Sequence, residues 1–286
     1  MNKVGFIGVG IMGKSMVRNL MKAGFELHIY ARTKSKVEDV ISEGAQFHES
    51  IKDCVQDCDA VITIVGFPQD VEEVYFDEGN ILDSAKEGAY LIDMTTTSPQ
   101  IAEKIYAEGT KRGFHVMDAP VTGGDTGAKA GTLSILVGGE KEDYEACMPL
   151  FEAMGTNINY QGKAGCGQHC KLANQIMIAG TLSGVCEALT YAKEQGLDPE
   201  VFMKSVATGA AGSKQLDTFG PKILKDDYAP GFFMKHFIKD MKLALIEANR
   251  KGLSLDVLSM VLANYEELEQ EGYGDLGTQA LIKYYE

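Results

Sequence analysis

Positive charge is scarce in this chain of 286 residues: 27 Lys and Arg stand against 41 Asp and Glu, a formal net charge of −14. Such a surface repels polyphosphate backbones and anionic headgroups, so neither nucleic acid nor a membrane is an expected partner, and any anionic ligand must be drawn in by local positive potential. Cysteine is also sparse. Cys54, Cys58, Cys147, Cys166, Cys170 and Cys186 form no dense disulfide framework, and free thiols in a cytoplasmic protein are the expectation. Cys166, His169 and Cys170 lie close together, but no second ligand pair at zinc-like spacing follows, and no metal is expected. Long hydrophobic runs are missing as well: the apolar stretch Ile176 to Val185 is Gly- and Ser-rich and short of the roughly 20 residues of a membrane span. The N-terminus, Met1-Asn2-Lys3-Val4-Gly5-Phe6, enters a strand pattern directly, with none of the regions of a targeting peptide.

What is present is enough apolar material for real cores, 45% of the residues. Short apolar runs alternate with helical stretches through the first half, the pattern of a parallel sheet covered by helices. Strands are expected at Val4 to Gly8, Glu26 to Tyr30, Ala60 to Val65, Tyr90 to Asp93, His115 to Asp118 and Leu133 to Gly138. Helices are expected between them at Gly13 to Ala23, Ser35 to Glu43, Asp70 to Tyr75 and Gln100 to Lys111, with another at Glu142 to Met154. Beyond about Gly162 the strand signals stop, and five helical stretches follow, from Gly167 to Glu271.

Gly8-Val9-Gly10-Ile11-Met12-Gly13 follows the first strand and opens an amphipathic helix containing Met16, Val17, Leu20 and Met21. In that setting the glycines allow a tight turn, a close approach of a pyrophosphate to the backbone, and close helix-to-strand packing, while the helix amides receive phosphate charge. The expected fold is therefore α/β: a Rossmann doubly wound sheet over residues 1–162, followed by an all-helical C-terminal domain over 163–286. The second strand ends in Tyr30-Ala31-Arg32-Thr33, without the carboxylate that usually binds a ribose 2′-hydroxyl of NAD. Arg32, helped by Thr33, can instead bond a 2′-phosphate, which favours NADP; a merely solvated basic loop is the competing reading.

Two more stretches carry chemistry. Asp118-Ala119-Pro120-Val121-Thr122-Gly123-Gly124 leaves a strand at the ligand edge, with a hydroxyl and two glycine amides suited to a small carboxylate. Gly165-Cys166-Gly167-Gln168-His169-Cys170-Lys171 opens a long helix on which Lys171, Asn174 and Gln175 stand at i, i+3 and i+4, on one face. With these residues in order, the sequence resembles the β-hydroxyacid dehydrogenase family, which includes 3-hydroxyisobutyrate dehydrogenases, tartronate semialdehyde reductases and glyoxylate/succinic semialdehyde reductases. The resemblance covers nearly the whole chain and extends to Lys239-Asp240.

That resemblance implies Lys171 as the general acid/base, Thr122, Gly123, Gly124, Asn174 and Gln175 around the substrate, and Val65, Gly66, Thr96, Lys239 and Asp240 against the cofactor. It implies a small hydroxy acid or semialdehyde substrate, and a homodimer or homotetramer. Thr122 replaces the more usual Ser, and Gln175 a common second Asn. Reduction of a semialdehyde or glyoxylate with NADPH is the leading expectation. Oxidation of a 3-hydroxy acid, as by a 3-hydroxyisobutyrate dehydrogenase, is a close competitor. An imine reductase is disfavoured by the presence of Lys171, and a non-catalytic dinucleotide-binding regulator by the presence of both Lys171 and the Thr122 loop.

Overall fold

The computed structural model describes residues 1–286, which divide into two compact units, Met1–Lys171 and Leu172–Glu286. In the first, the elements are β1 (Lys3–Ile7), α1 (Ile11–Lys22), β2 (Glu26–Tyr30), α2 (Glu38–Ser42), β3 (Gln46–Phe47), α3 (Ile51–Val55), β4 (Ala60–Thr63), α4 (Pro68–Phe76), α5 (Ile81–Ser84), β5 (Tyr90–Asp93), α6 (Pro99–Lys111), β6 (His115–Asp118), β7 (Val121–Thr122), α7 (Gly124–Ala130), β8 (Leu133–Gly138), α8 (Lys141–Ala146), α9 (Met148–Met154) and β9 (Gly155–Gly162). All nine strands form one sheet in the order β3-β2-β1-β4-β5-β6-β8-β7, with β9 on β8. The strands β1 to β6 pair in parallel, and β8 runs against β6 and β7.

Both sheet faces are covered. Along β4, β5 and β6, Ile62, Ile92 and Met117 point to one core with Val17 and Leu20 of α1, while Val61, Leu91 and Val116 point to the other with Val71 and Tyr75 of α4. This two-sided burial is why the strands read as continuous apolar runs rather than as alternation. The order reverses beside β1, and a doubly wound sheet binds its ligand at such a switch point, beyond the carboxyl ends of the strands.

Several elements differ from the sequence reading. The helix expected over Glu142 to Met154 is two helices, α8 and α9, meeting at Cys147 just before Pro149, whose ring suits the first turn of a new helix. Ser35 to Glu43 begins as a 3-10 turn, Lys34–Lys36, before α2. The short β3, β7, α3, α5 and α7, and the irregularly paired β9, were not anticipated; two-residue strands and helices of four to seven residues are too brief to show a period. Asp118 ends β6 as expected, but the pairing with β8 resumes beyond it. Asp118 pairs with Gly138, Val121 with Ile135 and Thr122 with Ser134 in one unbroken antiparallel register, with Leu136 N bonded to Pro120 O at 3.0 Å between them. Pro120, lacking an N–H, only interrupts the ladder.

The second unit is helical: most of α10 (Cys166–Glu194), then α11 (Pro199–Val206), α12 (Lys214–Ile223), α13 (Met234–Arg250) and α14 (Asp256–Gln270), with a 3-10 segment at Thr278–Tyr285. Taken whole, α10 has 29 residues and, contrary to the expectation from its Gly and Ser content, is long and apolar enough to pass for a membrane span. Its Leu172, Ala179, Leu182, Cys186 and Leu189 are, however, packed in the core of this unit with Phe237, Met241, Val261 and Tyr265. Leu258, Val261 and Leu262 of α14 belong to that core, whereas Ile246 of α13 is exposed.

The start of α10 lies directly on the sheet. A Cβ at Gly167 would stand 2.4 Å from Leu136 O and 2.7 Å from Asp118 O, and one at Gly138 would stand 2.8 Å from Gly167 N. Backbone on both sides leaves nothing flexible to yield. Gly167→Ala is therefore expected to cost about 1–3 kcal/mol, as overpacked core substitutions do. The check is differential scanning fluorimetry: a thermal midpoint within one degree of wild type, about the noise of the method, would refute the contact.

Candidate active site

The cofactor cradle begins at the turn after β1. Gly8 has φ +98°, and a Cβ there would meet Ile64 O at 2.1 Å; a Cβ on Gly13 would meet Gly8 O at the same distance. Gly10, between them, has nothing within 4 Å of such a Cβ. The first and third glycines thus close the turn against β4 and α1, and the second leaves open space at the helix start. No side chain caps α1 and no acidic residue stands in its first turn, so the amides of Ile11, Met12 and Gly13 retain their affinity for an anion. Val9 is buried beside them. These residues fit the pyrophosphate of a dinucleotide.

At the end of β2, Arg32 is largely exposed but not unpaired. Its Nη2 donates to Asp70 Oδ1 at 2.5 Å and to Glu73 Oε2 at 3.1 Å, both from α4. Asp70 is itself anchored, accepting from Phe67 N at 2.9 Å. The sequence reading missed these carboxylates because they arrive from another helix, 38 and 41 residues away in sequence. Both bonds use Nη2, which leaves Nε and Nη1 as donors. Thr33 stands exposed at the head of the 3-10 turn.

The loops after β4, β5 and β6 are tied to one another by buried polar groups. Val65 N, next to Gly66, donates to Thr95 Oγ1 at 3.0 Å. Asp93 Oδ1 accepts from Thr63 Oγ1 at 2.8 Å and from Thr95 N at 3.1 Å, and Thr63 also meets the Tyr75 hydroxyl at 3.2 Å. Asp118, the register partner of Asp93, accepts from Gly165 N and Gln168 N, both at 2.8 Å. The Gln168 side chain, fully buried, bonds Thr95 O at 2.7 Å and takes Thr97 N at 3.0 Å, bracketing Thr96. Lys171, one turn further along α10, is only 6% exposed. Asp93, Asp118, Thr95 and Gln168 were not singled out from the sequence; an Asp closing each of two adjacent strands was the available signal.

Thr122 ends β7, and Gly123 and Gly124 turn the chain into α7 with φ of +130° and +63°, values that only glycine adopts without strain. In the second unit, Gln175 Nε2 donates to Asp240 Oδ2 at 2.7 Å, Asn174 Nδ2 donates to Gln175 Oε1 at 2.8 Å, and Lys239 Nζ lies 3.1 Å from Asp240 Oδ1. No three His, Cys, Asp or Glu side chains converge as metal ligands, and burial raises the Cys170 thiol.

Fold and cradle together define an NAD(P)-binding oxidoreductase, and comparison with known proteins narrows the class. Residues 3–162 match the NAD binding domain of 6-phosphogluconate dehydrogenase, and residues 165–285 match the domain described as NAD-binding of NADP-dependent 3-hydroxyisobutyrate dehydrogenase. An uncharacterized oxidoreductase of Bacillus subtilis is 50% identical over 280 residues, covering 98% of this chain and 97% of that one. A probable mitochondrial 3-hydroxyisobutyrate dehydrogenase-like protein of Arabidopsis thaliana is 44% identical, covering 98% and 84%. The solved structure of Mycobacterium tuberculosis 3-hydroxyisobutyrate dehydrogenase with L-serine superposes with a TM-score of 0.90 at 27% identity, covering 99% and 98%. The chain belongs to the β-hydroxyacid dehydrogenase family. It is an NAD(P)-dependent oxidoreductase of that family, whose substrates are small hydroxy acids.

Burial pushes the Asp93 carboxyl up to about 6, against the bonds from Thr95 and Thr63 that favour its charge, and its Oδ2 has no hydrogen-bond partner. A carboxyl raised in the folded state stabilises the fold below its unfolded value of about 4, and that contribution is lost as pH rises through about 6. Asp93→Asn keeps an oxygen for Thr63 and Thr95 without the charge. It is expected to raise the thermal midpoint by a few degrees at pH 7.5 and by little at pH 4.5. Parallel pH-stability curves for the two proteins would remove Asp93 from the account.

Proposed function

We propose that the protein transfers hydride between NADP(H) and a small carboxylate-bearing aldehyde or keto acid, or its hydroxy acid, with Lys171 as the proton donor and acceptor. The observation that carries this reading is the burial of Lys171 one turn into a helix that starts on Asp118 and Gln168. A buried lysine is rare outside functional sites or charge pairs. In reduction its ammonium gives a proton to the carbonyl oxygen and stabilises the developing alkoxide; in oxidation the neutral amine takes the hydroxyl proton. Thr122 Oγ1 and the amides of Gly123 and Gly124 bind the carboxylate, and Asn174 holds the reacting end. A bound nicotinamide would supply or accept the hydride; Gly8 to Gly13, Val65, Gly66 and Thr96 of the first unit would hold the cofactor, and the family likeness adds Lys239, which Asp240 positions.

The molecules that relatives bind or are named for support this class. L-serine and 3-hydroxyisobutyrate each carry a primary hydroxyl on the carbon next but one to a carboxylate. Because one site serves both directions, the oxidative reading differs only in which side the cell supplies. The same proposal includes assembly as a homodimer or homotetramer, for which exposed Met177, Tyr191, Val257 and Met260 of the second unit are available apolar surface.

Lys171→Ala is expected to lower kcat at least a thousandfold, about 4 kcal/mol of barrier, with NADPH binding changed less than about twofold by fluorescence titration. A kcat within about tenfold of wild type would end the proposed role of Lys171. The substrate itself is sought with a panel of succinic semialdehyde, tartronate semialdehyde, glyoxylate, 3-hydroxyisobutyrate and L-serine, each with both cofactors.

Choice of NADP rests on Arg32 in place of a carboxylate, and it works against Asp70 and Glu73. A 2′-phosphate gains charge-assisted bonds from Nε and Nη1 but meets two negative neighbours. Arg32→Asp is therefore expected to weaken NADPH about tenfold to a hundredfold while leaving NADH within about threefold, and Glu73→Gln to tighten NADPH about threefold. Equal losses for both cofactors in the Arg32 variant, or a wild type that prefers NADH in kcat/KM, would overturn the assignment.

A further inference from the structure

Three side chains of the second unit form a relay whose direction is set at one end. Asp240 is fully buried, with Lys239 Nζ at 3.1 Å from Oδ1 and Gln175 Nε2 at 2.7 Å from Oδ2. An ionised carboxylate only accepts hydrogen bonds, so Gln175 must turn its amide nitrogen to Asp240. Its carbonyl Oε1 then faces the other way and takes the 2.8 Å bond from Asn174 Nδ2. Gln175 is 1% exposed, so solvent cannot satisfy the opposite orientation. Turning Gln175 over would set a carbonyl against a carboxylate, and turning Asn174 over would set two carbonyls against each other. Oδ1 of Asn174 is consequently the end of that amide directed away from Gln175.

We propose that Asp240 and Gln175 are positioning residues that fix Asn174 as a hydrogen-bond acceptor towards the substrate. Oδ1 reads a donor, such as the hydroxyl of the hydroxy acid carries and the carbonyl of the aldehyde does not, while Nδ2 has a second N–H that Gln175 does not use. Gln175 thus acts through Asn174 rather than on the substrate. The inference rests on the reading that Asn174 holds the substrate, and the experiment separates the two.

The test is steady-state kinetics on the full chain at saturating cofactor in the oxidative direction, using 3-hydroxyisobutyrate or L-serine, whichever has the higher kcat/KM. Asn174→Ala gives the value of the contact itself. Asp240→Asn removes the compulsion on Gln175, because an amide can meet either end of it. Gln175→Glu places two carboxylates face to face. Each of these two is expected to raise KM about tenfold with kcat changed less than about threefold. The Asp240→Asn, Gln175→Glu double variant reverses donor and acceptor between the two sites and again presents only lone pairs to Asn174 Nδ2, so KM returns to within about threefold of wild type. A packing role alone predicts no such rescue.

If both single variants keep KM within about twofold while Asn174→Ala raises it, the relay is overturned and the reading of Asn174 stands. An Asn174→Ala protein with unchanged KM and kcat overturns both. Should a single variant fail to fold, the double variant decides: KM within about threefold supports the relay, and a larger rise overturns it.

Discussion

The site depends on one buried carboxylate. Asp118, at the end of β6, receives Gly165 N and Gln168 N at 2.8 Å each, so the leading amides of α10 find their acceptor inside the sheet edge rather than in water. Burial raises the Asp118 carboxyl and the two backbone bonds lower it; the positive end of a long helix favours the charge further. Gly167 and Gly138 remove the side chains that would hold helix and strands apart. Once that junction is made, helical geometry carries Lys171 to a definite place about 4.5 Å along the axis from Gln168.

From the same junction a series of bonds reaches back across the strand ends. Gln168 holds Thr95 O and Thr97 N, Thr95 Oγ1 holds Val65 N, and the backbone of Ile64 lies where a side chain on Gly8 would be. The loops after β1, β4 and β5 and the start of α10 are therefore held by contacts from one to the next. Each is a loop of the kind that would otherwise move, and each carries residues assigned to the cofactor. Fixing them before a ligand arrives reduces the ordering cost at binding. Asp93 is the expensive member of the set, a buried carboxylate with one oxygen unmatched, and its place beside Asp118 makes the strand ends sensitive to protonation.

The parts of this arrangement that were legible in the sequence are those with a period or a local motif. The strands at Glu26, Tyr90, His115 and Leu133 begin and end where the apolar runs do, and the Gly8-x-Gly10-x-x-Gly13 turn has the contacts its spacing implies. What was not legible depends on residues far apart in the chain. Nothing near Arg32 announces Asp70 and Glu73, and nothing near Gln175 announces Asp240. The strand character of Val121 and Thr122 was hidden by Pro120, a residue that interrupts a ladder without ending its register. Gln175 itself shares a helix face with Lys171 and Asn174, as the spacing requires, yet that amide is consumed by neighbours; a shared face gives direction and does not distinguish a binding group from its support.

A chain with a net charge of −14 that binds a polyanionic dinucleotide poses an apparent contradiction, which distance resolves. At physiological ionic strength the screening length is about 8 Å, so charges elsewhere on the surface act weakly on a group held at the strand ends. Within that range lie uncapped helix amides at Ile11 to Gly13, whose partial charge needs no counter-ion and is not offset by an acidic residue in the first turn. The Arg32 corner is the opposite case: two carboxylates stand within one screening length and offset the only guanidinium there. The pyrophosphate end of the cradle is thus secured by backbone, which few substitutions can alter. At the end of β2, by contrast, one cation and two carboxylates leave a net charge of −1 that rests on side chains alone, so a single substitution there changes the local charge.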